Sequence, residues 1–248
     1  FDKNCAVGIN PNHENLKKNL ENSLMLVTAL NTKIGYEKAA KIAKTALKNN
    51  TTLKHETLKT GLINEKDYNK IELKKLQKEA EEEKNKGNIE EAINKYTILE
   101  IYFKGNMQNI DKEKLRNVYM DMGDIYIKMQ ETEPEKYYEE KKANNEWDYE
   151  VHYNEYLRIS QEYLINASNA FLNAKLLFDD IELDNKQDKE DYSEVFYKYL
   201  REQSYIDFAE NKLDYKSFIS LINELNAFNK ENFGIYNYRT ACSYYLKG

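Results

Sequence analysis

The 248-residue sequence predicts an all-α protein, and three observations support that class. Eight glycines and two prolines leave few places where a helix is forced to stop. Val/Ile/Thr-rich runs of alternating polarity, bounded by turn residues as strands are, do not occur. Apolar residues instead recur at intervals of three and four, the period of a helix with one buried face. With 41% hydrophobic and 32% charged residues the chain has material for a sizeable core, and its length allows one or two domains.

The first predicted helix opens at Pro11-Asn12, where the Asn side chain can accept a bond from an otherwise unpaired first-turn N–H. Leu16, Leu20, Leu24, Val27 and Leu30 give it one apolar stripe, and Asn31 and Gly35 are expected to break it. A second helix over 37–48 puts Ala39, Ile42, Ala43 and Ala46 on one face, small enough for close approach to the first. Thr51 or Thr52 can cap a third, short helix, which Gly61 ends because glycine tolerates the left-handed conformation there. Asn64 can cap a fourth, with Asp67 three residues on in a loose capping box. Such a set of short helices makes a lobe with a thin core, better suited to docking on something larger than to standing alone.

Composition changes after this lobe. Residues 1–71 hold 12 basic and 7 acidic residues, whereas 72–248 hold 25 and 36. Of 21 tyrosines only Tyr36 and Tyr68 precede Glu72. Two independent changes at one place predict a domain boundary near 70–76, dividing the chain into 1–71 and 72–248. The acidic second part disfavours a nucleic-acid partner, whose phosphates demand a basic surface. No apolar stretch approaches the ~20 residues that a membrane span needs, so no membrane partner is expected. Two cysteines, Cys5 and Cys242, are too few for a disulfide framework and suit a reducing, cytoplasmic setting. The chain begins at Phe1 without a Met or a signal peptide, and reads as an internal piece of a longer polypeptide.

Several stretches of residues 4–71 resemble the C-terminal domain of class II fumarases in order and spacing. They are Cys5-Ala6-Val7-Gly8-Ile9, Pro11-Asn12, Ser23 through Asn31, Ile34 through Lys44, Thr51-Thr52-Leu53-Lys54 and Gly61 through Glu65. Aspartases share Val27-Thr28-Ala29-Leu30-Asn31 and Ile34-Gly35-Tyr36, but Ser23-Leu24-Met25-Leu26 and Ala39 through Lys44 look more like fumarase. The sequence departs from the family at Thr32, where Pro is usual, at Leu47, where His is common, and at Asn50, where Gly is usual. The resemblance implies a lobe that follows a long-helix domain, a homotetramer formed through that upstream domain, and reversible hydration of fumarate to malate without metal or organic cofactor. The family's catalytic Gly-Ser-Ser loop and its Met-Pro continuation have no counterpart here. No catalytic, cofactor-binding or metal residue is therefore assigned in this chain, and it is expected to be catalytically silent.

The region from Glu72 onward resembles tetratricopeptide repeats at some points. Ala80, the turn Gly87-Asn88, Ala92 and Tyr96 fit one helical hairpin with small residues at the crossing. Gly123 with Tyr126 suggests a second, and Ala241 through Gly248 the start of a third, cut short. The 43 residues from Ala80 to Gly123 exceed the ~34-residue repeat, and Pro134 to Trp147 reads as acidic and irregular. The resemblance implies an α-solenoid over 72–248 that docks an unknown protein or peptide. Tyr149, Tyr153, Tyr156, Tyr163, Tyr192, Tyr197, Tyr199 and Tyr205 are read as packing residues of stacked hairpins, and His13, His55 and His152 as surface histidines. The acidic run from Glu79 to Glu83 is read as a solvated helix face. Beside the fusion stand an aspartase-like ammonia-lyase fragment and two further readings. One is a non-enzymatic scaffold carrying a fumarase remnant. The other is a join of two unrelated coding segments, which a single mRNA crossing Ile71 would exclude.

Overall fold

The computed structural model describes residues 27–105, 112–146, 148–178, 183–209 and 215–233. Among them are nine helices and no strand: α1 (Val27–Ile34), α2 (Tyr36–Asn49), α3 (Leu53–Lys59), α4 (Glu65–Lys86), α5 (Ile89–Gly105), α6 (Lys112–Ala143), α7 (Tyr149–Leu176), α8 (Lys186–Ala209) and α9 (Tyr215–Phe233). The all-α class is as expected. The helix start at Pro11-Asn12 and the hairpin start at Ala241 lie outside the described residues. Helices form two compact units, Phe1–Tyr102 and Phe103–Gly248.

In the first unit the breaks fall where backbone conformation requires them. Asn31 does not end α1, contrary to its expected role. Its carbonyl accepts the Gly35 N–H at 2.9 Å, and the chain turns only at Gly35, with φ 83°. Helix α2 ends at Asn50, which takes the left-handed conformation at φ 52° while the Thr51 N–H donates to the Ala46 carbonyl at 3.0 Å. Asparagine is the side chain best suited to stand in for glycine there. Of the two candidate caps for α3, Thr52 is used: its hydroxyl accepts the His55 N–H at 3.0 Å. The Asn64 cap also forms, Oδ1 accepting the Asp67 N–H at 2.9 Å. Asp67 Oδ2 then accepts the Asn64 amide at 2.8 Å, so the return bond of the box runs between side chains. Leu30, Ala39, Ile42, Leu53, Ile63 and Tyr68 meet in one core, each large member supplying about 1.5–3 kcal/mol on burial.

Helix α4 runs through positions 71 and 72 without interruption. Gly87, with φ 82°, ends it, and α5 starts two residues later. Lys95 of α5 lies 3.7 Å from Glu79 of α4, and Ala80, Ala92 and Tyr96 are all buried. Small residues therefore occupy the interior of this hairpin, as their spacing suggests.

The second unit is a run of antiparallel helices. Gln130 bonds Ser160 at 2.9 Å and Tyr137 bonds His152 at 2.7 Å between α6 and α7. Ser168 bonds Gln203 at 2.9 Å between α7 and α8, and Ser193 bonds Asn229 at 2.5 Å between α8 and α9. Phe196, Leu200, Phe218, Ile222 and Leu225 form the α8/α9 core. The expected irregularity from Pro134 onward is overturned, because α6 continues through Pro134 to Ala143. Proline removes one backbone donor and crowds the preceding turn, a cost of ~3 kcal/mol in an isolated helix. Here α6 is held to α7 on both sides of Pro134, by Gln130 and by Tyr137, and Pro134 itself is buried. The actual break is Asn144-Asn145, where Asn145 adopts φ 55°.

Candidate functional site

Among the described residues, lysine-rimmed concavities on the lobe from α1 to the start of α4 include two that Asn64 and Glu56 line. One, of about 480 Å³, lies among Lys33, Asn64, Asp67, Lys70 and Lys74. The other, of about 280 Å³, lies among Lys38, Lys41, Thr45, Glu56 and Thr60. Glu56 is buried, 5% exposed, and accepts bonds from the Thr51 hydroxyl at 2.8 Å and the Asn49 amide at 3.2 Å. Those two donors, the Thr51 hydroxyl first, hold its carboxyl below the usual glutamate range. Glu56 thereby ties the end of α2 to α3. It is fixed as an acceptor in that tie. Leu47, at the position where the family often has His, is 72% exposed.

His55 is exposed and gives only its backbone N–H to Thr52, and His13 lies outside the described residues. His152 differs from its reading as a surface residue. It is half-buried and hydrogen-bonded to the Tyr137 hydroxyl. Among the described residues no group of three or more His, Cys, Asp or Glu side chains could hold a metal ion. None of the described helices is long and apolar enough to cross a membrane.

The described residues of this lobe hold no assembled acid–base pair, so its sequence is the basis of comparison. Residues 26–72 match the family model described as the Fumarase C C-terminus. The chain is 64% identical over 70 residues to "Fumarate hydratase class II" of Haemophilus influenzae. It is 63% identical over 68 residues to the protein of that name from Pasteurella multocida, and 58% over 71 residues to that of Bacillus subtilis. These alignments cover 27–29% of this chain and 15% of each relative, so the chain spans a small part of the curated relatives' length. No solved structure matches the chain. The fumarase-type segment ends within the first turns of α4, a helix that continues to Lys86.

Beyond it, the tyrosines divide. Tyr192, Tyr197 and Tyr199 pack on the α8/α9 core as expected. Tyr149, Tyr153 and Tyr205 do not: they are exposed. Two features of the second unit carry no periodic signal. Arg116 is buried with its guanidinium 4.1 Å from the Phe178 ring and within 4 Å of Asp188 and Asp191. Glu202 is buried beside Arg201, and burial pushes its carboxyl up despite that partner. A charged residue at an inward helix position has no sequence pattern of its own, so only tertiary placement identifies either.

Proposed function

We propose that this chain carries the C-terminal domain of a class II fumarate hydratase continued into a helical region that docks a protein partner. The observation that supports it is the 64% identity over 70 residues to a fumarate hydratase, beside the match of residues 26–72 to the Fumarase C C-terminus. In this reading the hydration of fumarate belongs to the enzyme as a whole. It acts as a homotetramer through a long-helix domain, and residues 1–71 are the lobe that closes that fold. The chemistry, removal of a proton beside a carboxylate and stabilisation of the resulting dianion by fixed donors, needs groups that this chain does not contain. Residues 72–248 add tetratricopeptide-like hairpins, with buried Ala80, Ala92 and Tyr96 as the supporting packing.

The test is the appearance of fumarate absorbance from malate, measured on the polypeptide of the complete open reading frame and on the 248-residue chain. Turnover by the first and none by the second is the expected result. A folded, tetrameric full-length protein without turnover would overturn the enzyme assignment. Turnover by the 248-residue chain alone would overturn its reading as catalytically silent.

A further inference from the structure

The first turns of α7 stand clear of the helix that covers the rest of it. The pairs Ser168/Gln203 and Phe178/Tyr192 fix the antiparallel register of α7 and α8. In that register Ala209, the last residue of α8, falls opposite about residue 162 of α7. Residues 149–161 therefore have no described stretch of α8 beside them. Along this overhang Tyr149, Tyr153 and Leu157 recur every fourth position, on one face, with exposures of 64%, 38% and 39%. The Tyr149 and Tyr153 rings are stacked, centroids 4.7 Å apart and planes 15° from parallel. Tyr156 continues the series, its ring 6.5 Å from that of Tyr153 and nearly parallel to it.

The surroundings of this stripe are acidic. Residues 131–165 contain ten carboxylates and four cations. Each cation lies within 4 Å of a carboxylate: Lys136 at Glu133, Lys141 at Glu146, Lys142 at Glu139, and Arg158 at Glu155 and Glu162. Residues 131–165 thus carry six more carboxylates than cations. Tyrosine faces at this end of the hairpin already take ammonium groups. Lys142 Nζ sits 5.3 Å from the Tyr138 ring and Lys141 Nζ 5.9 Å from that of Tyr137.

We propose that the overhang of the α6/α7 hairpin docks a basic amphipathic segment of a partner protein. Its apolar side chains cover Tyr149, Tyr153 and Leu157, and its lysines or arginines meet the carboxylates and tyrosine faces around them. This deepens the docking reading of residues 72–248 and rests on it. A second copy of the chain does not suit the same surface, because two tips of the same negative sign would oppose each other.

The experiment uses the full 248-residue chain and a fluorescein-labelled amphipathic leucine–lysine peptide, read by anisotropy, with a leucine–glutamate peptide as comparison. The variant is Tyr149→Ser with Tyr153→Ser, both exposed, and Tyr205→Ser, exposed on α8, is the control. Binding of the lysine peptide alone, weakened about tenfold or more in the double variant and unchanged in the control, supports the inference. Equal binding to the double variant places the peptide elsewhere, which overturns this site while leaving partner docking by residues 72–248 standing. Absence of binding overturns the basic partner. Self-association of the chain that the double variant abolishes would also overturn it, by making a second copy the occupant.

Discussion

Replacing Gly123 by alanine sets two effects of opposite sign against each other. A helix interior gains about 1 kcal/mol when glycine becomes alanine, because the unfolded chain loses less entropy on folding. At position 123, however, the new Cβ would fall 2.6 Å from Phe171 Cζ and 2.8 Å from Cδ1, with Cε1 closer still. Ordinary carbon–carbon contacts are ~3.5–4.0 Å, so the ring or the helix must give by about 1 Å. Phe171 has no exposed surface to retreat into, and its face also lies 5.4 Å from the Lys198 ammonium. Overpacking of this kind costs about 1–3 kcal/mol, which exceeds the helix gain over most of its range. The expected net effect is a loss of up to about 2 kcal/mol. Urea unfolding followed by far-ultraviolet circular dichroism measures it as a lowered midpoint. Gly105→Ala is the comparison, because nothing lies within 4 Å of a Cβ there, and it is expected to be neutral or stabilising. A second-site Phe171→Leu change should recover part of the loss from Gly123→Ala. A midpoint for Gly123→Ala raised by the full helix gain would refute the close approach of α6 and α7 at this position.

Other perturbations have equally definite signs. Asn50→Gly removes the cost of a Cβ in the left-handed region, φ 52°, and should raise the thermal midpoint of the first unit, whereas Asn50→Val should lower it. The expected separation between those two variants is about 1–2 kcal/mol. Glu56 has a folded-state pKa below its unfolded one, so its stabilisation is present above the unfolded value and is lost as pH falls through the folded one. Glu56→Gln should flatten that acid limb in an unfolding series taken from neutral to acidic pH, and an unchanged limb would disprove the role of Thr51 and Asn49. Glu202 behaves in the opposite sense. Its raised pKa gives a contribution present at low pH and lost as pH rises through the folded value. Glu202→Gln should therefore unfold at higher denaturant than wild type at neutral pH and converge with it in acid.

The readable parts of this chain are those where one residue type has one physical use. Gly35, Gly61 and Gly87 all adopt positive φ, and Thr52 and Asn64 both cap the helices that follow them. These are local decisions, settled by backbone sterics and by donors within one turn. Asn31 and Pro134 were expected to break structure and do not. Asn31 lies within an unbroken i→i+4 bond, and Pro134 is held by contacts to α7 on either side. At Pro134 packing between helices outweighs a local propensity, whereas at Asn31 the helical hydrogen bond persists and the chain turns at Gly35. The candidate site followed the same division. The fumarase-type segment is legible because its residues recur in order and spacing, while the exposure of Tyr149 and Tyr153 is a tertiary property that no periodicity encodes.

From its sequence alone, the chain determines an all-α fold, the order of helices around the lobe, the match of residues 26–72 to the Fumarase C C-terminus and the change in charge and tyrosine content near residue 72. Periodicity, caps and glycines act over a few residues, so the linear order contains them. Tertiary structure alone decided which helices run side by side, that α4 passes unbroken through position 72, that Gly123 meets Phe171, and which charged groups are buried. Those outcomes depend on distances between residues far apart in the chain. A buried Arg116 or Glu202 and a solvated one have the same letter, and only the surrounding helices decide between them.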